Sequence, residues 1–277
     1  QTKGYKNADP AAKHEKALPV SFYRFLHSAA VTEFDRAIAF LCTLAFFFAM
    51  RSCEYTETSV RRTKTLTVAD FRFYKDKKEV PHSDPNLHNA TTVTITFHYQ
   101  KNDQRDDSIT QERNRDPTIC PVKAAAYTIR RLQNLPGCTA ATTIDTFIDF
   151  RTGKFVRFQA SALLALFRAT ATAMGSALLG FEASEIGTHS NRAATAMSMY
   201  LNGVPVYTIM LVGRWSSDAF LLYIRKQVQE FTSGVSTKMI NTSSFFTIPD
   251  EQHAHHEDPR ARRNPANIAT LSMPQNG

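Results

Sequence analysis

The stretch AIAFLCTLAFFFAM, from Ala37 to Met50, constrains the fold of this chain more than any other. Its 14 residues include no charged side chain, yet they are too few to cross a bilayer, which takes roughly 20 apolar residues in a helix. A helix that is apolar nearly all round must be covered by other elements. We therefore predict a central buried helix from about Phe34 to Met50, capped by the segment from Thr32 to Asp35.

The remaining sequence supplies more helices and a small group of strands. Alternating β-branched and aromatic residues predict strands, whereas longer apolar periodicities predict helices. A polar, proline-bearing loop is expected between the first two strands. The predicted helices are Pro19–Ala29, Cys120–Leu135, Phe158–Gly180, His189–Gly203, Pro205–Gly213 and Ser217–Ile240, and the predicted strands are Leu66–Tyr74, Thr91–Gln100 and about Ser108–Gln111. The fold class is mainly α with a small antiparallel β-sheet (α+β), the sheet following the second helix.

Composition limits the class of protein and the domain organisation. Hydrophobic residues make up 43% of the 277 residues, enough for a substantial core, and the net charge of +8 favours a polyanionic partner. We expect a linker or disordered start over residues 1–16, one domain over 17–249 and a disordered tail over 250–277. The tail contains His253, His255 and His256 but no structured partner for them, so we expect no metal site there.

The cysteines and the targeting signals point to an intracellular protein. The chain has no CxxC pair and no basic-then-apolar signal pattern. We therefore expect reduced thiols at Cys42, Cys53, Cys120 and Cys138, and no membrane association.

Two arginines are candidates for anion binding. Arg51 directly follows the apolar helix, and an arginine at the end of a buried helix needs a partner, which Glu54 could provide. The simpler interpretation is an arginine that complements the helix dipole. His189 and Arg192 lie three residues apart on one helix, next to small residues that leave room for an anion. A solvated helix start is the alternative for this pair.

A lysine, a tryptophan and a tyrosine complete the candidate set. Lys101 ends the best predicted strand, with Lys64 as the competing lysine. Trp215 is the only tryptophan and precedes the last predicted helix. Helical geometry places Tyr223 at the edge of the apolar stripe of that helix, about 100° from its centre. A tyrosine that served only the core would more often lie within the stripe.

In chain order, these residues form a recognisable series of motifs. They are Arg51 with Glu54 in MRSCE, Lys101 at a strand end, HSNR at 189–192, GRW at 213–215 and YIR at 223–225. The series resembles the catalytic domain of the tyrosine recombinases, the phage-integrase and Cre-like family, over about residues 17–245. The GRW and YIR motifs are most similar to those of eukaryotic mobile-element recombinases of the DIRS and Crypton type.

The resemblance implies a metal-independent and cofactor-independent DNA strand transferase, a site-specific recombinase or integrase. Arg51 and Arg192 would clamp the scissile phosphate, and Tyr223 would attack it to form a 3′-phosphotyrosyl intermediate. His189 would assist proton removal from Tyr223, and Lys101 would protonate the leaving 5′-oxygen.

The resemblance also assigns supporting roles and partners. Trp215 would donate its indole N–H to the phosphate and brace the tyrosine helix, and Glu54 would support Arg51. Double-stranded DNA would be the partner, bound by a homo-oligomer, a tetramer on DNA. The segment NTSSFFTIP at 241–249 would dock in cis or in trans. The expected location is the nucleus in a eukaryote and the cytoplasm otherwise.

The sequence departs from the family pattern at three places. Asn191 stands where members usually have an apolar residue, and Tyr223 follows Trp215 by eight residues, one fewer than in many members. The resemblance also begins after only about 16 residues, without the family's N-terminal helical domain, so we expect an excised domain or a shortened relic.

Three other functions remain open on the sequence. The first is a catalytically silent DNA-binding remnant of a mobile-element recombinase. The second is a basic helical interaction domain that binds no nucleic acid. A type IB topoisomerase, which shares the catalytic design, is the third. Salt-dependent DNA binding would separate the second function from the other two.

Overall fold

The computed structural model of the protein describes residues 15–57, 64–99, 106–149 and 151–215. These residues contain eight α-helices, a four-stranded sheet and a separate two-stranded hairpin. The helices are α1 (Val20–Ala29), α2 (Glu33–Phe47), α3 (Ser52–Tyr55), α4 (Pro121–Gln133), α5 (Ala160–Met174), α6 (Ser176–Leu179), α7 (Ser190–Leu201) and α8 (Val206–Gly213). The strands are β1 (Phe71–Lys75), β2 (Lys78–Val80), β3 (Thr92–Phe97), β4 (Asp107–Glu112), β5 (Thr146–Ile148) and β6 (Phe155–Arg157).

Helix α2 is the centre of the fold, as its apolar sequence predicts. It packs against α1, α4 and α7, and most of its residues are buried. A capping box begins the helix: Asp35 donates its backbone N–H to Thr32 Oγ1 (3.1 Å), and Thr32 donates its own to Asp35 Oδ2 (2.9 Å). The predicted cap is therefore confirmed, although the helix ends three residues before Met50.

The end of α2 turns the chain sharply towards Arg51. Ala49 has a left-handed backbone, with φ of 46°. Met50 donates its N–H to the carbonyl of Ala45 (2.9 Å), and Ala49 donates to that of Phe46 (3.4 Å). This pair of bonds is the Schellman arrangement, which usually has glycine at the left-handed position. The left-handed backbone of Ala49 is modestly strained, and its carbonyl no longer points along the axis of α2.

The main sheet is antiparallel and has the strand order β2-β1-β3-β4. We predicted three strands, and the prediction is wrong by one, because β2 lies in the stretch expected to be a loop. Asp76 and Lys77 join β1 to β2 with φ values of 51° and 66°, the geometry of a two-residue hairpin turn. The first strand begins only at Phe71, because Val68–Asp70 forms a 3-10 turn.

Two further differences concern residues 146–180. The strands β5 and β6 form a separate hairpin that the sequence did not indicate. The helix predicted over Phe158–Gly180 is divided into α5 and α6 at Gly175, whose φ of 86° no continuous helix allows.

The core is formed mainly by α1, α2, α4, α5 and the inner face of the sheet. Across the described ranges, no helix has both the length and the apolar content needed to cross a membrane. Several predictions fall outside those ranges: residues 1–14, Lys101, Tyr223, the helix predicted over Ser217–Ile240 and the tail from 250 to 277.

Candidate functional site: an arginine cluster at the end of the central helix

Glu54 is the anionic centre of the candidate site. It lies in α3, with 1% of its side chain exposed. Its Oε2 accepts the backbone N–H of Arg51 (2.8 Å), and its Oε1 accepts from Arg51 Nη1 (3.1 Å). In the structure, Glu54 is thus the ion-pair partner of Arg51.

A second arginine, Arg214, also binds Glu54. Its Nη2 lies 2.9 Å from Glu54 Oε2, and both side chains are 1% exposed. Burial by itself would raise the pKa of Glu54, but Arg214, Arg51 and Arg192 together hold that pKa below its ordinary value. Glu54 is therefore a carboxylate at neutral pH.

Arg192 reaches the same place from α7. It is 4% exposed, and its guanidinium donates to the backbone carbonyls of Ala49 and Gly213. The indole ring of Trp215 lies against it, with 4.4 Å between the guanidinium carbon and the ring centroid. A flat cation stacked on an aromatic face is a favourable contact, and here it joins two of the predicted site residues.

Gly213 leaves the room that the indole ring occupies. A Cβ atom at this position would lie 1.6 Å from Cζ3 of Trp215 and 1.8 Å from its Cε3. The glycine of the GRW motif is therefore needed to let the tryptophan fold back onto Arg192.

His189 and Arg192 do not have similar surroundings, although they lie three residues apart. His189 is the N-cap residue of α7 and is exposed, whereas Arg192 is buried one turn later. The backbone N–H of His189 donates to the carboxylate of Glu15, and the His189 side chain does not cap the helix. Lys101 and Tyr223 lie outside the described residues, so their placement relative to this cluster stays a prediction.

Asn191, the polar departure within HSNR, lies in a buried hydrogen-bond chain. Its Oδ1 accepts from the hydroxyl of Tyr23, and its Nδ2 donates to the oxygen of Tyr55 at 3.5 Å. All three residues are fully or almost fully buried, and burial raises the pKa of both tyrosines well above the ordinary value. These hydrogen bonds connect α7 to α1 and α3. The asparagine therefore stabilises the packing of α7, which carries Arg192, against α3, which begins just after Arg51.

The residue that our sequence analysis missed is Arg214. The motif GRW drew attention to its tryptophan, and an arginine just after a short helix is usually solvated. One signal was present: a buried Glu54 with only Arg51 beside it would have had few donors for two oxygens. That deficit could have suggested a second cation without saying which.

Together, these residues form a cluster with an excess of positive charge. The guanidinium groups of Arg51 and Arg214 contact the carboxylate of Glu54, and the nearby guanidinium of Arg192 helps to lower its pKa. Guanidinium groups bind phosphate and carboxylate oxygens in pairs of charge-assisted hydrogen bonds. The chemistry available to such a cluster is therefore the binding of an oxyanion and the stabilisation of added negative charge on it.

A separate cavity of about 690 Å³ opens between α2, α4 and β5. Its lining includes Phe40, Tyr127 and Phe147, and it shares no residue with the arginine cluster. This apolar cavity is thus not where the charged groups converge.

Comparison with solved structures identifies the fold. XerH, a site-specific recombinase solved with its palindromic difH substrate in a post-cleavage complex, matches with a TM-score of 0.52 and 13% sequence identity. The match covers 86% of this chain and 58% of that chain, so the protein spans little more than half the length of XerH. XerA recombinase also matches, with a TM-score of 0.45, 15% identity and coverage of 82% and 68% of the two chains.

The likeness to XerH shows that the chain has the fold of tyrosine recombinase catalytic domains. The integrase of the transposon Tn1549, solved with transposon right-end DNA, matches with a TM-score of 0.45 at 9% identity, over 80% of this chain and 67% of that one. No family model and no curated protein sequence matches the chain.

Proposed function

We propose that this protein is the catalytic domain of a site-specific DNA recombinase or integrase that cuts and rejoins DNA through Tyr223. The observation that carries the proposal is the convergence of three separate parts of the sequence, which carry Arg51 with Glu54, Arg192, and Trp215, into one largely buried cluster on this fold. A surface that only attracted DNA would not need to bury its arginines.

The reaction would be a transesterification at the scissile phosphate. The oxygen of Tyr223 forms a bond to phosphorus, the bond from phosphorus to the 5′-oxygen breaks, and a 3′-phosphotyrosyl link remains. An ordinary tyrosine has a pKa near 10, so forming the phenolate at pH 7 costs about 4 kcal/mol. His189 would accept the phenol proton, and Lys101 would give a proton to the 5′-oxygen. The reverse steps, with a new 5′-hydroxyl as nucleophile, rejoin the strand.

Arg51 and Arg192 would stabilise the charge that develops on the phosphate oxygens. Their role is supported by how firmly the fold holds them: Glu54 holds Arg51, while two carbonyls and the indole of Trp215 hold Arg192. A group that is already oriented stabilises a transition state without reorganising during the reaction. Trp215 would hold Arg192 and add its indole N–H.

The finer parts of the proposal concern the biological setting. The GRW and YIR motifs support a mobile-element recombinase of the DIRS or Crypton type, and the charge of +8 supports double-stranded DNA as the partner. A tetramer on two duplexes would be the active assembly, and the protein would act in the nucleus of a eukaryotic host.

The test is covalent capture of DNA. A pool of nicked duplexes of randomised sequence is incubated with the protein without added metal, and products that survive boiling in detergent are measured for the wild type and for Tyr223→Phe. Tyr207→Phe is the matched control, because Tyr207 is an exposed tyrosine of α8. We expect Tyr223→Phe to abolish the product and Tyr207→Phe to keep it.

Two other outcomes point elsewhere. A product that persists in Tyr223→Phe assigns the nucleophile to another residue. Salt-sensitive DNA binding without any covalent product, in a folded protein, supports the catalytically silent DNA-binding remnant instead.

A further inference from the structure

Arg214 adopts an unusual backbone and an unusual location for an arginine. It directly follows α8 with φ of 53° and ψ of 44°, the left-handed region that glycine or asparagine normally occupies at a helix end. It is also 4% exposed. Left-handed backbone and burial of a charge both oppose folding, so the contacts of this side chain must offset them.

Those contacts reach two other chain segments, and a single nitrogen makes both polar ones. Nη2 donates to Glu54 Oε2 (2.9 Å) and to the carbonyl of Ala49 (3.2 Å). The guanidinium carbon lies 3.4 Å from the ring centroid of Phe97. Nε and Nη1 have no hydrogen-bond partner within the described part of the chain.

Each of these segments carries or precedes a residue of the proposed reaction. Ala49 and Glu54 flank Arg51, and the Ala49 carbonyl also accepts from Arg192. Phe97 is the last residue of β3, four residues before Lys101. Arg214 itself lies between α8 and Trp215. The side chain of Arg214 thus contacts residues on both sides of Arg51 and the last residue of β3.

We propose that Arg214 is a positioning residue that holds Glu54 so that Glu54 can hold Arg51 against the phosphate; this rests on the proposed function. Glu54 Oε2 is shared between the backbone of Arg51 and Arg214 Nη2, which leaves Oε1 for the Arg51 guanidinium. Without Arg214, the carboxylate loses the donor that fixes its orientation, and Arg51 loses its fixed partner. The sheet and α2 are held together at the same point through Phe97 and Ala49.

The test compares Arg214→Met, Glu54→Gln and the double variant. Methionine keeps an unbranched apolar side chain on Phe97 but removes the donors. The first-turnover rate of covalent complex formation is measured at saturating DNA and normalised to folded protein, with DNA affinity measured separately. We expect each single variant to lose roughly 100-fold in rate with nearly unchanged DNA affinity, the scale of effect that follows from misplacing a reacting group by about 1 Å.

The double variant decides whether Arg214 acts through Glu54. If it does, Arg214→Met/Glu54→Gln is no more than about threefold slower than Glu54→Gln alone, because the second change removes what is already lost. Arg214→Lys, which keeps the charge without the planar face, should recover part of the rate. Arg36→Met, at an exposed arginine of α2, is the control and should retain the wild-type rate.

A second measurement does not depend on catalysis. The side-chain Nε–H signal of Arg51 is recorded by NMR and assigned by its loss in Arg51→Lys. We expect this signal in the wild type and in Arg36→Met, and expect it to disappear by exchange in Arg214→Met. Rate losses that multiply in the double variant, or an Arg51 signal unchanged in Arg214→Met, would overturn the proposal. If the wild type forms no Tyr223-dependent product, the proposed function fails, and the NMR result alone decides whether Arg214 holds Arg51.

Discussion

Removing the carboxylate of Glu54 should destabilise the protein far more than removing any exposed glutamate. The side chain accepts three hydrogen bonds, at 2.8, 3.1 and 2.9 Å, from two arginines. Removing one partner of a buried ion pair typically costs about 3–5 kcal/mol, because the remaining charge stays buried without compensation. We expect Glu54→Ala to lower the free energy of unfolding by about that amount.

Most of this loss should come from Arg214. The side chain of Arg214 is 1% exposed, whereas that of Arg51 is 14% exposed and can turn towards water. If the uncompensated charge of Arg214 dominates, then Glu54→Ala/Arg214→Met loses no more stability than Glu54→Ala alone. Replacing a whole buried pair by apolar groups is often neutral, which is the basis of this expectation.

Urea unfolding, followed by far-ultraviolet circular dichroism, measures these differences. The fluorescence of Trp215, the single tryptophan, reports on the cluster in the same samples. Glu79→Ala, at an exposed glutamate of the edge strand β2, is the matched control and should stay within about 0.5 kcal/mol of the wild type. A Glu54→Ala protein within about 1 kcal/mol of that control would refute the reasoning that Glu54 compensates a buried charge.

Two further predictions concern the same cluster. The stability advantage of the wild type over Glu54→Gln should be complete above about pH 4.5 and should shrink as the pH falls towards the lowered pKa of Glu54, because there the unfolded state binds the proton first. Urea unfolding midpoints of the two proteins between pH 3 and pH 7 measure this advantage. A difference that stays constant over this range would contradict the prediction. The added Cβ in Gly213→Ala should displace the indole of Trp215 from Arg192. The tryptophan fluorescence should then shift to longer wavelength, and acrylamide should quench it more strongly. An unchanged spectrum would mean that the Cβ fits without moving the indole.

The elements with a strong periodic pattern were predictable from the sequence. The central helix could be recognised because its apolar run leaves no solvent-facing side, and its start because Thr32 and Asp35 form a capping pair. Strand β3 followed from strict alternation. The strand β2 did not, because three residues carry too little pattern, and its turn uses Asp76 and Lys77 at positive φ where asparagine or glycine would have been the signal.

A site residue was predictable where its chemistry required a partner that stands nearby in the sequence. It was unpredictable where its burial depends on residues far away in the sequence. Arg51 needed an acid, and Glu54 stood one turn away. Nothing local in the sequence distinguished Arg214 from a solvated helix end, because its burial depends on Glu54, 160 residues away. The same holds for Asn191, whose partners Tyr23 and Tyr55 come from two other helices.

The way in which α2 ends has a consequence for its length. The last carbonyls of a helix carry the negative end of its dipole, and the Ala49 carbonyl just beyond them accepts from both Arg192 and Arg214. By accepting from both groups, the Ala49 carbonyl reduces the repulsion between these two guanidinium groups before any anion arrives. Each residue added to a helix turns its end by about 100° and advances it by about 1.5 Å. A single insertion between Thr32 and Ala49 would therefore turn this carbonyl away from the two arginines. The length of α2 is thus constrained by these hydrogen bonds as well as by its packing in the core.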